Sequence, residues 1–330
     1  MLTIAIPTYN RNDILCSNLS YLLPHVPIEC SILIIDNASE IPVRDSISDL
    51  INQYPEVNVT VVRNRYNLGL TGNLMKCFEL CNDDWLWILG DDDRVLDVGV
   101  EQVLDDINRY NYTNFINYAW DEASFKRNRD IITNGVNELI DSFESIGVVL
   151  FISSGIYNVQ KLRPFMSYGS FFQSSYAPHL AMLFMSLKDE GKCVLSTNRI
   201  VDNGGFDVPV HLRWDQMFFY QIILLLRLPL YPDALKKLRI RMTELTRLWT
   251  IEYLIFTLTF TEYPKHLRPD TLYKDIVQSF FYLDKRPRVR ILSFLGYFIV
   301  RNPSVFRPIL YRLYRLIKGK SFVLNNNLRI

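Results

Sequence analysis

Short apolar runs alternate with helix-period stretches over the first 120 residues. Leu2 to Ile6, Cys30 to Ile35, Val57 to Val62 and Trp85 to Leu89 read as strands. Between and after them, Asp13 to Leu23, Val43 to Gln53, Leu70 to Cys81 and Val98 to Tyr110 read as helices. Continuous apolar strands separated by helices predict a mostly parallel sheet covered by helices on both faces, a Rossmann-like α/β fold. In such sheets, ligands bind at the carboxyl ends of the strands. The segments at those ends are polar: Pro7-Thr8-Tyr9-Asn10-Arg11, Asp36-Asn37-Ala38-Ser39, Asn64-Arg65-Tyr66-Asn67-Leu68-Gly69 and Gly90-Asp91-Asp92-Asp93.

The pattern blurs from Ile131 to about Ser170, where Ser153-Ser154-Gly155 precedes a helix-like Asn158 to Phe165. Ser174 to Lys188 predicts a helix, with Leu180, Leu183, Phe184 and Leu187 on one stripe. Cys193 to Leu195 and Ile200 to Asp202 predict short strands, and from Trp214 onward the pattern is helical and punctuated by prolines. A boundary near residue 210 divides the chain into residues 1–210, an α/β domain, and residues 211–330, a helical region.

Composition adds limits. Apolar types make up 49% of the 330 residues and charged types 22%, globular usage that excludes collagen, coiled coil and wholesale disorder. Cys16, Cys30, Cys77, Cys81 and Cys193 are odd in number and lack C-x-x-C spacing, which argues against a disulfide framework or structural zinc. The first strand has no basic leader and does not read as a signal peptide, so the expected place is the cytoplasm. The sequons at Asn18, Asn37, Asn58 and Asn111 are then chance. Met217 to Leu230 is interrupted by Gln221 and Arg227 and is shorter than the roughly 20 residues of a spanning helix.

Net charge is +1 but unevenly placed: residues 1–120 hold 7 Lys/Arg against 17 Asp/Glu, and residues 236–320 hold 18 against 6. Adjacent carboxylates at Asp91, Asp92 and Asp93 repel unless solvated or neutralised, and a Mg²⁺ or Mn²⁺ ion bridging them to a nucleotide diphosphate does the latter. The plainer alternative is a solvated helix start. No G-x-G-x-x-G follows the first strand and no P-loop occurs.

These four strand-end segments, with Asn73 further on, resemble the family 2 glycosyltransferases of the GT-A fold over about residues 1 to 110. The resemblance implies that Pro7, Thr8, Tyr9, Arg11 and Asp36 hold the base and ribose of a sugar nucleotide. Asn67, Gly69 and Asn73 would line the nucleotide cleft. The Asp-x-Asp motif would bind a divalent cation and the diphosphate, its first position falling on Gly90 or Asp91. Asp93, with Asp91, is the candidate metal contact, and Asp91 or Asp92 the contact to ribose or a metal-bound water.

The family's usual Glu-Asp pair is not visible, and its place falls on Ser175-Tyr176-Ala177-Pro178-His179-Leu180. His179 is therefore a candidate general base, with Asp215, Asp202 and Asp207 as alternatives. Arg213-Trp214 resembles the end of a processive-synthase motif, but Val210 stands where that motif has Gln. The expected activity is transfer of one sugar, with inversion, to a saccharide or lipid-linked saccharide in surface-polysaccharide assembly; the alternative is a non-catalytic nucleotide-sugar-binding or scaffold protein. Basic and aromatic residues interleave from Arg286 to Lys320, which fits a peripheral site on the inner, anionic membrane face, or else a plain solvated helical subdomain. Nucleic acid is not an expected partner; homo-oligomers through the C-terminal helices are possible.

Overall fold

The computed structural model describes residues 1–120, 127–203, 221–245, 251–260, 268–278 and 287–318. Its strands are β1 (Leu2–Thr8), β2 (Cys30–Asp36), β3 (Asn58–Arg63), β4 (Trp85–Ile88), β5 (Asp93–Val95), β6 (Phe115–Asn117), β7 (Ile131–Asn134), β8 (Gly155–Asn158), β9 (Lys192–Leu195) and β10 (Val201–Asn203). Among the described residues, eight strands form one sheet in the order β3-β2-β1-β4-β8-β6-β9-β7, and β10 pairs with β5 in a small antiparallel sheet. Strands β3, β2, β1 and β4 run parallel, whereas β8 is antiparallel to both its neighbours.

The first helices are α1 (Asn12–Leu22), α2 (Val43–Ile51), α3 (Gly69–Leu80) and α4 (Gly99–Arg109). Side chains alternate between the faces of a strand. Leu2, Ile4 and Ile6 of β1 join one cluster with Leu15 and Leu19 of α1, Val43 and Ile47 of α2, and Val100 and Val103 of α4. Helix α3 packs on β1, β2 and β4 and against the helix Pro178–Ser186. All nine residues of that helix are buried, so it lacks the polar face that a surface helix shows.

The elements expected over the first 120 residues are present to within about two residues at each end. Three corrections follow further on. The expected helix Ser174 to Lys188 starts only at Pro178, because Tyr176 takes a left-handed conformation (φ 60°) and Pro178 occupies the first turn. The expected helix from Asn158 begins at Val159, with Asn158 capping it by accepting from the Lys161 N–H at 3.2 Å, and is preceded by β8. Strands β5, β6 and β7 had no periodic signature, being three or four residues long.

By contact the chain forms two compact units, Met1–Arg241 and Met242–Ile330. The described helices of the second unit are Ile251–Phe260, Pro269–Ile276, Pro287–Arg301 and Pro303–Lys318. Three of them open on proline, whose missing N–H costs nothing in a first turn. Among the described residues no helix is long and apolar enough to cross a membrane.

Candidate functional site

The register brings Thr8, Asp36 and Arg63 into one row at the ends of β1, β2 and β3. Pro7 is tolerated one residue earlier because Ala5↔Ile88 is the last pair with β4, so the side its nitrogen faces has no strand left to bond. The loops after β1 and β2 clasp each other. Asn10 donates its N–H to Ser39 Oγ at 2.9 Å and accepts from the Glu40 N–H at 2.7 Å. Both loops carry a non-glycine residue in the left-handed region, Asn10 (φ 54°) and Ala38 (φ 64°), a strain found at functional edges.

Asp36 is buried within this clasp. Its oxygens accept from the N–H groups of Ser39 (2.8 Å) and Val43 (3.2 Å) and from the Arg63 guanidinium. Burial alone raises its pKa, but these bonds hold it below the usual carboxylate value. Asp36 thus shapes the loop as an ionised carboxylate.

An asparagine network joins the β2 and β3 loops. Asn37 Oδ1 accepts from the Leu68 N–H and from Asn64, and its amide donates to Asn67 Oδ1 at 2.8 Å. Asn64 also donates to Asn73 Oδ1 at 2.8 Å, and Asn73 donates to the Ile35 carbonyl. Asn67 Oδ1 accepts from Gly69 N–H, and Gly69 sits at φ +71°, a conformation that favours glycine and turns the chain into α3. Asn67, Gly69 and Asn73 are thus tied through such bonds to β2 and the loop after it and to the β3 loop. Asn18 and Asn37, two of the four sequon asparagines, are buried and hydrogen-bonded within the fold.

The three aspartates occupy unlike places in one tight turn. Asp91 is buried; its Oδ2 accepts from Thr8 Oγ1 at 2.6 Å and its Oδ1 from Arg11 Nη1 at 2.5 Å. Asp92 is more open and takes Arg11 Nη2 at 3.0 Å. Asp93 Oδ2 accepts from Ser153 Oγ at 2.5 Å, and the same Oγ accepts from the Gly90 N–H at 2.9 Å. From α1, the Asn18 amide donates to the carbonyls of Asp93 (2.8 Å) and Asp91 (3.3 Å).

A Cβ at position 90 would lie 2.5 Å from Asp93 Oδ2 and 3.2 Å from Asp92 Oδ1. A side chain at position 90 would therefore crowd the carboxylates that follow it, and glycine leaves them room.

One guanidinium faces three carboxylates, and the electrostatics show it. Burial pushes Asp91 up, against the opposing pull of Thr8 and Arg11. Burial also pushes the Asp93 pKa up to about 6, with Asp92 and Asp91 adding to it and Ser153 opposing. Beside the turn, Tyr9 stands 42% exposed at the end of β1, and Tyr66, Leu68 and Leu70 are exposed on the β3 loop and the start of α3. Thr8, Arg11, Asp91, Asp92 and Asp93 thus meet in one bonded cluster, with Pro7 of β1 and Tyr9 just after it flanking Thr8 in the chain.

His179 does not present itself to a ligand. It is 2% exposed, edge-on to Tyr157 at 6.2 Å, and neither ring nitrogen makes a well-formed hydrogen bond within the described residues. Burial holds its pKa down to about 3, offset only in part by the Leu150 backbone. The expected general-base role is corrected on two grounds: the ring is sealed from an acceptor hydroxyl, and burial opposes its taking a proton.

Asp202 lies on β10, exposed and paired with Arg199, directly opposite Arg94 and one step from the Asn203↔Asp93 pair. Asp207 and Asp215 lie outside the described residues, as do Arg213 and Trp214. The sequence did not single out Asn18 as a site residue, nor Arg63, nor Ser153's bond to Asp93. For Asn18 a signal existed, an amide amid the buried Leu15, Leu19 and Leu22 of α1.

Residues 3–159 match the family model for Glycosyl transferase family 2. No curated protein matches the chain in sequence. Among solved structures, S. aureus TarS 1–349 shares 12% identity at TM-score 0.61 over 98% of this chain and 93% of that one, and the same figures hold for its complex with UDP-GlcNAc. The mannosyltransferase PcManGT from Pyrobaculum calidifontis, in complex with GDP-Man and Mn²⁺, shares 10% identity at TM-score 0.53 over 92% of this chain and 86% of that one. At such identities the likeness is one of fold, the GT-A arrangement of a mostly parallel sheet followed by a helical region. Strand-end loops, acidic turn, fold and family match agree: the chain is a glycosyltransferase, and its residues 3–159 match family 2.

Proposed function

We propose that this glycosyltransferase moves a sugar from a metal-bound nucleotide sugar to a lipid-linked saccharide acceptor, with inversion, in surface-polysaccharide assembly. The observation that carries the donor side is the turn Asp91-Asp92-Asp93, in which Arg11 pairs with Asp91 and Asp92 while Asp93 is met by the neutral Ser153 hydroxyl. The donor set fits Mg²⁺ or Mn²⁺: hard oxygens, an excess of negative charge, and an Asp93 whose Oδ1 accepts from no described residue. No group of three or more His, Cys, Asp or Glu among the described residues could hold a metal by itself, as suits a cation that takes its other oxygens from a diphosphate and water.

When bound, the cation neutralises charge on the departing diphosphate. The chain's own groups do the rest. Arg11 fixes Asp91 and Asp92, Ser153 fixes Asp93, and the exposed ring of Tyr9 offers a face for a nucleobase to stack on. The complexes of TarS with UDP-GlcNAc and of PcManGT with GDP-Man and Mn²⁺ support the donor class and the cation. Inversion, the lipid-linked acceptor and the place in surface-polysaccharide assembly rest on the resemblance of the motifs to the family. Residues 1–210 carry donor binding and catalysis in this reading, and residues 211–330 serve acceptor or membrane contact.

With His179 sealed away, Asp202 is the described carboxylate best placed to deprotonate the acceptor, since β10 runs beside the strand that begins at Asp93. The test is a transfer and hydrolysis assay with a panel of UDP- and GDP-sugars, with Mn²⁺ and with excess chelator. Metal-dependent turnover of one donor is expected, and full activity in chelator would contradict the reading. Asp202→Asn should lower turnover by about 10² to 10⁴-fold with nucleotide binding intact. Intact turnover would transfer the role to Asp207 or Asp215.

A further inference from the structure

The helix Pro287–Arg301 has two opposite faces. Val289, Gly296 and Val300 are buried against its own unit, with Gly296 close to Ile255 and Tyr273. On the other side Ile291 (58% exposed), Phe294 (67%), Leu295 and Phe298 form one stripe at helical spacing. At 100° per residue these four fall within about 60° of a common line, and the buried three lie near the diametrically opposite line. Arg288 flanks the stripe on one side, and Arg290 and Arg301 on the other; all three are exposed. The next helix adds Val305 and Ile309, both exposed, and Arg312.

Apolar side chains of this size standing side by side on a surface mark an interaction site. The charge says of what kind. From Lys285 to Ile330 the sequence contains no Asp or Glu, and the helices Pro287–Arg301 and Pro303–Lys318 carry arginine and lysine as their only charged residues.

We propose that the Ile291, Phe294, Leu295 and Phe298 face, with Arg288, Arg290 and Arg301 along its edges, docks on an anionic lipid bilayer. The apolar stripe enters the boundary between headgroups and acyl chains, and the arginines lie at the level of the lipid phosphates. A second copy of the chain fits less well, because a two-fold contact through this face would set arginines against arginines with no carboxylate from 285 to 330 to answer them. A nucleic acid would use the arginines but leave Ile291 and Leu295 unemployed. The proposal deepens the reading of a lipid-linked acceptor, since it names the surface on which such an acceptor would be met.

The experiment is co-sedimentation of the full chain with vesicles of phosphatidylcholine alone and of phosphatidylcholine with phosphatidylglycerol, at low and high salt. Binding is expected only to the anionic vesicles, weakening with salt but not vanishing, because ions screen the arginines and not the apolar stripe. The triple change Arg288→Gln, Arg290→Gln and Arg301→Gln should lower anionic binding at low salt by about 10²-fold, about 1 kcal/mol for each arginine. Phe294→Ser with Phe298→Ser should cost about tenfold or more and abolish the salt-resistant part.

UDP and GDP binding, measured on the same samples, should be unchanged in both variants, which shows that they are folded. Equal binding to both vesicle types, no binding, or variants that bind like the parent would overturn the proposal. So would a parent oligomer that the phenylalanine changes convert to monomer, or binding to an RNA oligonucleotide but not to vesicles. Failure of UDP and GDP binding in the parent chain would instead remove the donor reading and leave the surface standing.

Discussion

The acidic turn and the basic helix face handle like charges in opposite ways. At Asp91, Asp92 and Asp93 the charges are drawn into the protein, and each must be answered by a named partner: Thr8, Arg11 and Ser153 for the carboxylates, with Asn18 fixing the backbone. Along Pro287–Arg301 the arginines stand exposed beside Phe294 and Phe298, and Arg301 donates to the Tyr297 hydroxyl, a neutral partner. A buried excess of charge is expensive unless something arrives to balance it, and that cost is the ground for the proposed cation. An exposed excess costs little and acts over distance, so it marks a surface for an extended anion.

The comparison breaks most visibly at its arginines. Arg11→Gln leaves Asp91 buried with only Thr8 to answer it, and should cost about 2 to 3 kcal/mol of stability, the lower end for a broken buried pair because Arg11 is partly exposed. Arg290→Gln, on the open face, should stay within about 0.5 kcal/mol. Denaturant unfolding of the two variants beside the parent measures both, and equal losses would erase the distinction.

The pH dependence of stability sharpens it. Because the folded Asp93 pKa is raised to about 6 from an ordinary 3.8, the metal-free folded state binds the proton more tightly than the unfolded chain. Its contribution is therefore full below about pH 4 and is lost as pH rises through about 6. Asp93→Asn should remove that slope and gain roughly 2 kcal/mol at pH 7 while losing the cation. His179 tilts the other way: held down to about 3, it favours the folded state above pH 6.5 and withdraws that support as pH falls toward 3. Thermal melts from pH 3 to 8 on Asp93→Asn and on His179→Leu should show two opposed slopes removed one at a time.

Smaller effects follow at the supporting residues. Ser153→Ala frees the Asp93 carboxylate from its anchor and should weaken Mn²⁺-dependent nucleotide diphosphate binding about five- to tenfold, the worth of one good hydrogen bond to a charged group. Leaving metal-free binding untouched would confirm that Ser153 acts through Asp93. His179→Leu should change turnover at neutral pH by less than about twofold, because the ring contacts no substrate; a loss near 10²-fold would restore it as the base.

The parts of this molecule that a sequence shows are those whose pattern is local. Strands β1 and β2 announce themselves because Leu2–Thr8 and Cys30–Asp36 are long and mostly apolar, and the loops that follow them carry candidate site residues. Strand β8 does not, since four residues, Gly155–Asn158, become a strand only through pairing with β4 and β6. That pairing is also what carries Ser153 to Asp93, sixty positions away in sequence, so its role could not be read from the Ser153-Ser154-Gly155 string. His179 misled for the same reason: its neighbours Tyr157 and Leu150 come from other elements, and only they show that the ring is enclosed. Asp36, Asn67 and Asn73 were legible as important, but the loop-tying bonds they make were not, since a strand-end polar residue looks alike in sequence whether it meets a ligand, ties a loop or does both.

The central claim is that the Asp91-Asp92-Asp93 turn holds a cation together with a nucleotide diphosphate. Titration calorimetry of the full chain with UDP and with GDP, each with Mn²⁺ and without, on the parent and on Asp93→Asn, tests it directly. The account predicts that one nucleotide binds the parent at least about tenfold more tightly with Mn²⁺, a gain of about 1.4 kcal/mol or more, and that Asp93→Asn abolishes this gain while keeping the metal-free affinity. Equal affinities with and without Mn²⁺, or a gain that survives in Asp93→Asn, would contradict it.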